Sequence, residues 1–195
     1  MSKLETNQVD PATGTTLTLG TSGDTITIPS GVTIANSGTA TGFGANTPNF
    51  RAINSSGQNL AGQGTTFTKV QLDTEQYDTA NAYDNSSNYR FTVPSGQAGK
   101  YFISAQIGVS CTDDHRQVHG SVYKNGSALG DMTARLIMNG DTMNDGEQCL
   151  AITGVLNLSV GDYLELYGRG YDTSSSGTVS FTAGNSSLQG FKIIE

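Results

Sequence analysis

Leu156-Asn-Leu-Ser-Val-Gly-Asp-Tyr-Leu-Glu-Leu166 is two alternating runs joined by a turn. Leu156 and Leu158 share one face of the first run, and Leu164 and Leu166 one face of the second, the period of two expected of half-buried strands. Val160-Gly-Asp162 between them has turn chemistry, since Gly tolerates positive φ and Asp bonds back to its own backbone. The same pattern extends outward on both sides. Upstream, Tyr101 and Ile103 alternate with Phe102, and Lys124-Asn-Gly-Ser127 carries Asn-Gly, the strongest short hairpin signal. Downstream, Phe191 and Ile193 repeat the alternation. Together these signals predict ten strands, near residues 49–54, 66–72, 89–93, 100–109, 117–123, 131–137, 148–158, 162–168, 177–181 and 188–194. With no helix–strand alternation among them, the expected fold class is an all-β two-sheet sandwich or barrel.

Residues 1–48 read differently. Thr15-Thr-Leu-Thr-Leu19, Asp24-Thr-Ile-Thr-Ile28 and Gly31-Val-Thr-Ile34 are three short strand-like bursts that alternate Thr with Leu, Ile or Val. Gly20-Thr-Ser-Gly23, Pro29-Ser-Gly31 and Asn36-Ser-Gly38 separate them. The first aromatic residue is Phe43, so the segment lacks the bulk for a core of its own. It reads as a β-repeat arm or stalk with a hinge at 39–48, and residues 49–195 as the head. Strands this short are marginal alone. Leu17, Leu19, Ile26, Ile28 and Ile34 are therefore expected to find their partners on copies of the chain or on a larger particle.

Composition narrows the function. The net charge is -7, and the ten Lys and Arg are scattered singly, whereas a nucleic-acid binder needs a basic stripe. No apolar stretch approaches the roughly 18–20 residues of a membrane span. Met1 to Val9 has no apolar run, so a secretory leader is not expected, and the two cysteines, Cys111 and Cys149, are expected as reduced thiols. Neither nucleic acid nor membrane is an expected partner.

Four blocks of the head occur in the order of a known family. Tyr83-Asp84 with Tyr89-Arg-Phe-Thr-Val-Pro94 and Gly99-Lys-Tyr-Phe-Ile103, then Ser121-Val-Tyr-Lys-Asn-Gly126, then Leu156–Leu166, then Ser186-Ser-Leu-Gln-Gly-Phe-Lys-Ile-Ile194 resemble the conserved strings of complement C1q-like domains, relatives of tumour necrosis factor heads. The resemblance covers about residues 50–195. It implies a ten-stranded jelly-roll head that assembles as a homotrimer, with Phe91, Tyr101, Ile103, Val122, Leu164, Leu166, Phe191 and Ile193 forming core and trimer contacts. In place of a collagen stalk stands the Thr-rich arm, which resembles repeats of fibre proteins of tailed bacteriophages. The combination implies a non-enzymatic virion surface protein, assembled in the host cytoplasm. It would serve as capsid decoration (cement) or as a head or tail fibre, with the major capsid protein or a tail component and a host receptor or glycan as partners. The alternative is a secreted or cell-surface C1q-like adhesion module unrelated to a virus.

Candidate chemistry is sparse. His115 and His119 are the only histidines. On a strand, four residues span about 13 Å, too far to share one metal ion within a chain. Both are therefore expected as solvated surface side chains, the alternative being one histidine from each of three chains around a trimer axis. Asp141-Thr-Met-Asn-Asp-Gly-Glu147 offers oxygen ligands, and some members of the resembled family bind calcium between subunits, but the segment lacks a calcium-loop spacing. No cofactor is expected. Nucleophile–base motifs are absent, and Glu75 and Asp78 are expected in solvated loops. Tyr77, Tyr83 and Tyr171 are expected in polar loops, as candidates to contact a receptor or a sugar face.

Overall fold

The computed structural model describes residues 9–38, 46–60, 66–112, 115–137, 146–172 and 178–193. The chain forms two units, Met1–Phe43 and Gly44–Glu195. Within residues 9–38 of the first unit there is neither strand nor helix. The expected turns do form. Thr21 N donates to Asp24 Oδ2 at 2.7 Å, Asp24 N to Thr21 O at 3.0 Å, and Val32 N to Pro29 O at 3.2 Å. The three bursts expected as strands carry no ladder, because a strand needs a neighbour for its N–H and C=O groups and residues 9–38 supply none.

The second unit is all-β, with thirteen strands among the described residues. They are β1 (Asn49–Ile53), β2 (Gln58–Asn59), β3 (Thr68–Lys69), β4 (Thr74–Asp78), β5 (Tyr83–Asp84), β6 (Arg90–Thr92), β7 (Gly99–Cys111), β8 (His115–Lys124), β9 (Ser127–Ile137), β10 (Gly146–Leu158), β11 (Tyr163–Asp172), β12 (Val179–Phe181) and β13 (Ser187–Lys192). All ten predicted strands have counterparts. β2, β4 and β5 were not predicted: two are only two residues long, and β4 (Thr-Glu-Gln-Tyr-Asp) has no apolar alternation. It is a strand because β1 offers it a free edge. β11 runs four residues beyond the predicted end at Gly168. Gly168 and Gly170 point inward, where an added Cβ would lie 2.3 Å from Ile107 Cδ1 and 2.7 Å from Val109 Cγ1. These glycines leave room for the facing sheet instead of ending the strand.

Every strand pair is antiparallel, and the pairs fall into two sheets. In sheet 1, β10 pairs the whole of β7 from residue 99 to 111, while β13 and β12 share the opposite edge of β7; β1 and then β4 follow β13, and β2 follows β12. Sheet 2 runs β5-β6-β11-β8-β9, with β3 beside β6 along β11. The principal pairings are nested in sequence: β8 with β9, β7 with β10, β6 with β11, β1 with β13.

Between the sheets lies the core. β7 alone contributes Tyr101, Ile103, Ala105, Ile107, Val109 and Cys111, all essentially inaccessible, facing Val118 and Val122 of β8 and Leu164 and Leu166 of β11. One end is closed by aromatics: Phe50 of sheet 1 stacks on Phe91 of sheet 2 at 4.2 Å, and Tyr83 and Tyr101 pack around them. At about 25 cal/mol per Å² of apolar area, this burial is the main stabilising contribution. It also leaves the outer faces of the two sheets for other purposes.

Candidate functional site

The outer face of sheet 1 consists of registered rows. Val155, Phe102, Phe191 and Asn49 form one; Thr153, Ser104, Gln189, Arg51 and Tyr77 the next; Ala151, Gln106, Ser187, Ile53 and Thr74 the third. Arg51 is the only charged side chain in the three rows, and its Nη1 is tied to Gln189 Oε1 at 2.5 Å. The large apolar groups are only partly covered: Val155 is 56% exposed, Tyr77 48% and Phe191 36%. Phe102 and Phe191 pack at 5.4 Å, and with Tyr77, Gln189 and Gly190 they line a depression of about 120 Å³. A flat face that is nearly free of charge and carries aromatic groups is the composition of an interface core.

The sequence-predicted residues divide accordingly. Phe91, Tyr101, Ile103, Val122, Leu164 and Leu166 are core. Phe191 is not: Leu188 and Gly190 take the inward positions of β13, so parity turns Phe191 outward. Ile193 lies just past β13, partly exposed, with its N–H bonded to Lys100 O. None of the three tyrosines expected in loops is in one. Tyr77 is on β4 and Tyr171 on β11, while Tyr83 is 6% exposed on β5, stacked against Phe50 and unable to meet a receptor. Glu75 and Asp78 also lie on β4. The Asp78 carboxylate accepts from the N–H groups of Ala80, Ala82 and Tyr83, so it caps the β4–β5 turn. In the arm, Leu17, Leu19, Ile26, Ile28, Val32 and Ile34 are all 44–65% exposed.

Sheet 2 presents a different outer face. Across it, Arg169 of β11, His119 of β8 and Arg135 of β9 stand in one registered row, and Tyr167, Ser121 and Thr133 in the next. Tyr123 stacks on Tyr167 at 4.0 Å, and Phe67 leans over His119 and Tyr123. Three cations lie over rings: Arg90 over Tyr163 at 4.3 Å, Lys69 over Tyr167 at 5.9 Å, and Arg169 over Phe67 at 5.2 Å. Lys69 also pairs with the buried Glu165 at 2.5 Å.

His119 is buried, whereas a solvated histidine was expected. Arg169 Nη2 donates to its Nδ1 at 3.3 Å, so the ring proton sits on Nε2, which donates to Gln117 Oε1 at 3.1 Å. Burial, and then the charges of Arg169 and Arg135, push its pKa down to about 4. With both nitrogens engaged, the ring is not presented to a metal ion. Among the described residues no group of three or more His, Cys, Asp or Glu is placed to hold a metal. The Asp141–Asp145 part of the acidic turn considered for calcium lies outside the described residues, as does the His115 side chain. No family model matches the chain, and no curated protein matches it.

Proposed function

We propose that this chain is a non-enzymatic structural protein that works as a homotrimer on the exterior of a tailed-bacteriophage particle, either as capsid decoration or as a head or tail fibre. The observation that carries the reading is the outer face of sheet 1. Three adjacent outward rows that hold Phe102, Phe191, Val155 and Tyr77 with a single tied-down charge form a surface suited to meeting copies of the chain. The nested strand pairing supports a jelly roll, since a long hairpin rolled over on itself produces that order. It also supports the likeness to C1q and tumour-necrosis-factor heads carried by the sequence blocks.

The arm supports the particle. Its alternating Thr and apolar residues have the period of strands and its turns are formed, yet the ladder partners are missing from the segment itself. Copies of the arm, or a capsid or tail surface, supply them. Sedimentation of the purified chain tests the trimer: the expected mass is roughly three times 20.4 kDa, about 61 kDa, and a folded, stable monomer sinks the reading. Cross-linking in intact particles then separates decoration, which gives adducts with the major capsid protein, from a fibre, which gives adducts with a tail component. Absence of the chain from particles overturns the virion assignment.

A further inference from the structure

Sheet 1 carries a second feature at the far end of its outer face. β1 begins at Asn49, in one row with Phe191 and Phe102, whereas Ser110 lies at the other end of β7, about 26 Å from Phe102. There Ser110, Ser180 of β12 and Asn59 of β2 stand side by side in one outward row. With Ser56 and Thr182 they line an open depression of about 390 Å³, in the lower part of the range of small-ligand sites. We infer that this depression binds a neutral saccharide, the terminal unit of a surface glycan.

The lining selects the ligand. Its side chains are hydroxyls and amides with no charge among them, and its one large apolar member, Phe181, is 1% exposed and faces the core. Ser110 Oγ and Ser180 Oγ bond each other at 2.8 Å, which uses one of their two protons, so this half-buried pair keeps a donor and acceptor capacity for a ligand. Asn59 is exposed, and its amide has no hydrogen-bond partner among the described residues. Groups that both donate and accept match sugar hydroxyls, which do the same. The Ser56 hydroxyl is held by Asp73 and the Thr182 hydroxyl is covered, so these two shape the wall and floor and leave the bonding to the row.

The wall is set in advance. Gln58 donates from Nε2 to Lys69 O at 3.0 Å and accepts at Oε1 from Gln71 N at 2.9 Å, while Leu60 N donates to Val179 O at 2.9 Å and Thr182 N to Gly108 O at 3.1 Å. A ligand held by a few weak bonds gains most from a site that needs no ordering. Anionic sugars and phosphates fit less well. No Lys or Arg lines the depression, the row continues from Ser110 to the exposed Glu147 of β10, and the chain carries -7 overall.

This inference rests on the proposed function only for its purpose, contact with a host surface. Saturation-transfer NMR of the full chain with maltotriose, diacetylchitobiose and galactobiose tests the site, with digalacturonate as the anionic comparison. At least one neutral sugar is expected to receive signal, and more strongly than digalacturonate. Asn59→Ala, at an exposed position that keeps the fold, should weaken that binding fivefold or more. Ser180→Leu should abolish it by filling the depression, and Arg135→Gln, on sheet 2, should leave it unchanged. The site is overturned by silence from all three neutral sugars, by digalacturonate binding as well as they do, or by undiminished binding in the Asn59 variant. Sugar binding by a monomeric chain sinks the trimer and keeps this site; a trimer silent to every sugar does the reverse.

Discussion

Asn125 donates from Nδ2 to Asp162 Oδ1 at 2.7 Å, across 37 residues of sequence. The return bond runs from Tyr163 N to Asn125 Oδ1 at 2.9 Å, and Lys124 Nζ reaches Asp162 Oδ2 at 2.7 Å. Two turns that look independent in sequence, Lys124-Asn-Gly-Ser127 and Val160-Gly-Asp162, are thus one unit. Asn125 and Gly126 both have positive φ (52° and 77°), the primed-turn geometry that lets Asn125 direct its amide at the neighbouring turn.

Asp162→Ala removes that unit's anion and should cost about 2 kcal/mol, since it deletes charge-assisted bonds from Lys124 and Asn125 together with the bond from Ser159 N. Bonding to Lys124 first, then Asn125 and Ser159, holds the Asp162 carboxyl at about 2, below its ordinary 3.8. A depressed folded pKa stabilises above the unfolded value and is lost as pH falls through the folded one. The wild-type protein should therefore shed this contribution between roughly pH 4 and pH 2, and the variant should not. Urea unfolding across that range checks it; parallel pH curves for the two proteins would refute the role.

His119 gives a second acid-sensitive window, of separate origin. Its pKa lies at about 4 against an ordinary 6.5, so between these values the unfolded chain binds more protons than the folded one. Stability should fall as pH drops from about 6.5 towards 4, and His119→Asn should flatten that limb. Histidine ring NMR shifts should show titration near 4. A midpoint near 6.5 in the folded protein would mean that the ring is not held between Arg169 and Arg135.

Gly168→Ala should destabilise by about 1–3 kcal/mol, the usual cost of overpacking, because the new methyl meets Ile107 Cδ1 at 2.3 Å and Phe181 Cε1 at 2.9 Å. Ile107→Ala should cost about 2–5 kcal/mol alone, by leaving a cavity. The double variant should be more stable than the sum of the two predicts, because each change removes the other's problem. Chemical denaturation of all four proteins gives the coupling, and simple additivity would contradict the packing.

Phe191→Asp should dissociate the proposed trimer and leave the head folded, because Phe191 points out of sheet 1 and not into the core. Sedimentation should fall from about 61 kDa to near 20.4 kDa with the β spectrum retained. Leu188→Asp, on the inward face of the same strand, should unfold the head instead. A trimer that survives Phe191→Asp would move the association surface off sheet 1.

The strands of the head were largely legible because burial on one face imposes a period of two, which any long strand displays. β4 and the tail of β11 were not. β4 forms on the edge of β1 despite its polar sequence, and β11 passes through Gly168 and Gly170 because Ile107 and Val109 fill the space above them. Candidate sites were harder to read. The Tyr77-Phe102-Phe191-Val155 face draws on four strands, and the Arg169-His119-Arg135 row on three, so neither has a sequence signature. Tyr83 looked like an exposed loop residue because nothing local announces that Phe50, 33 positions earlier, stacks on it.

The sequence by itself determined the all-β class and most strands of the head with their turns, since these follow from local periodicity and φ preferences. Tertiary structure alone decided which face of each strand is covered, and so which aromatic groups are core and which remain outside. That choice depends on register between strands distant in the chain: a shift of one residue turns every side chain over, and only the paired neighbours hold it in place.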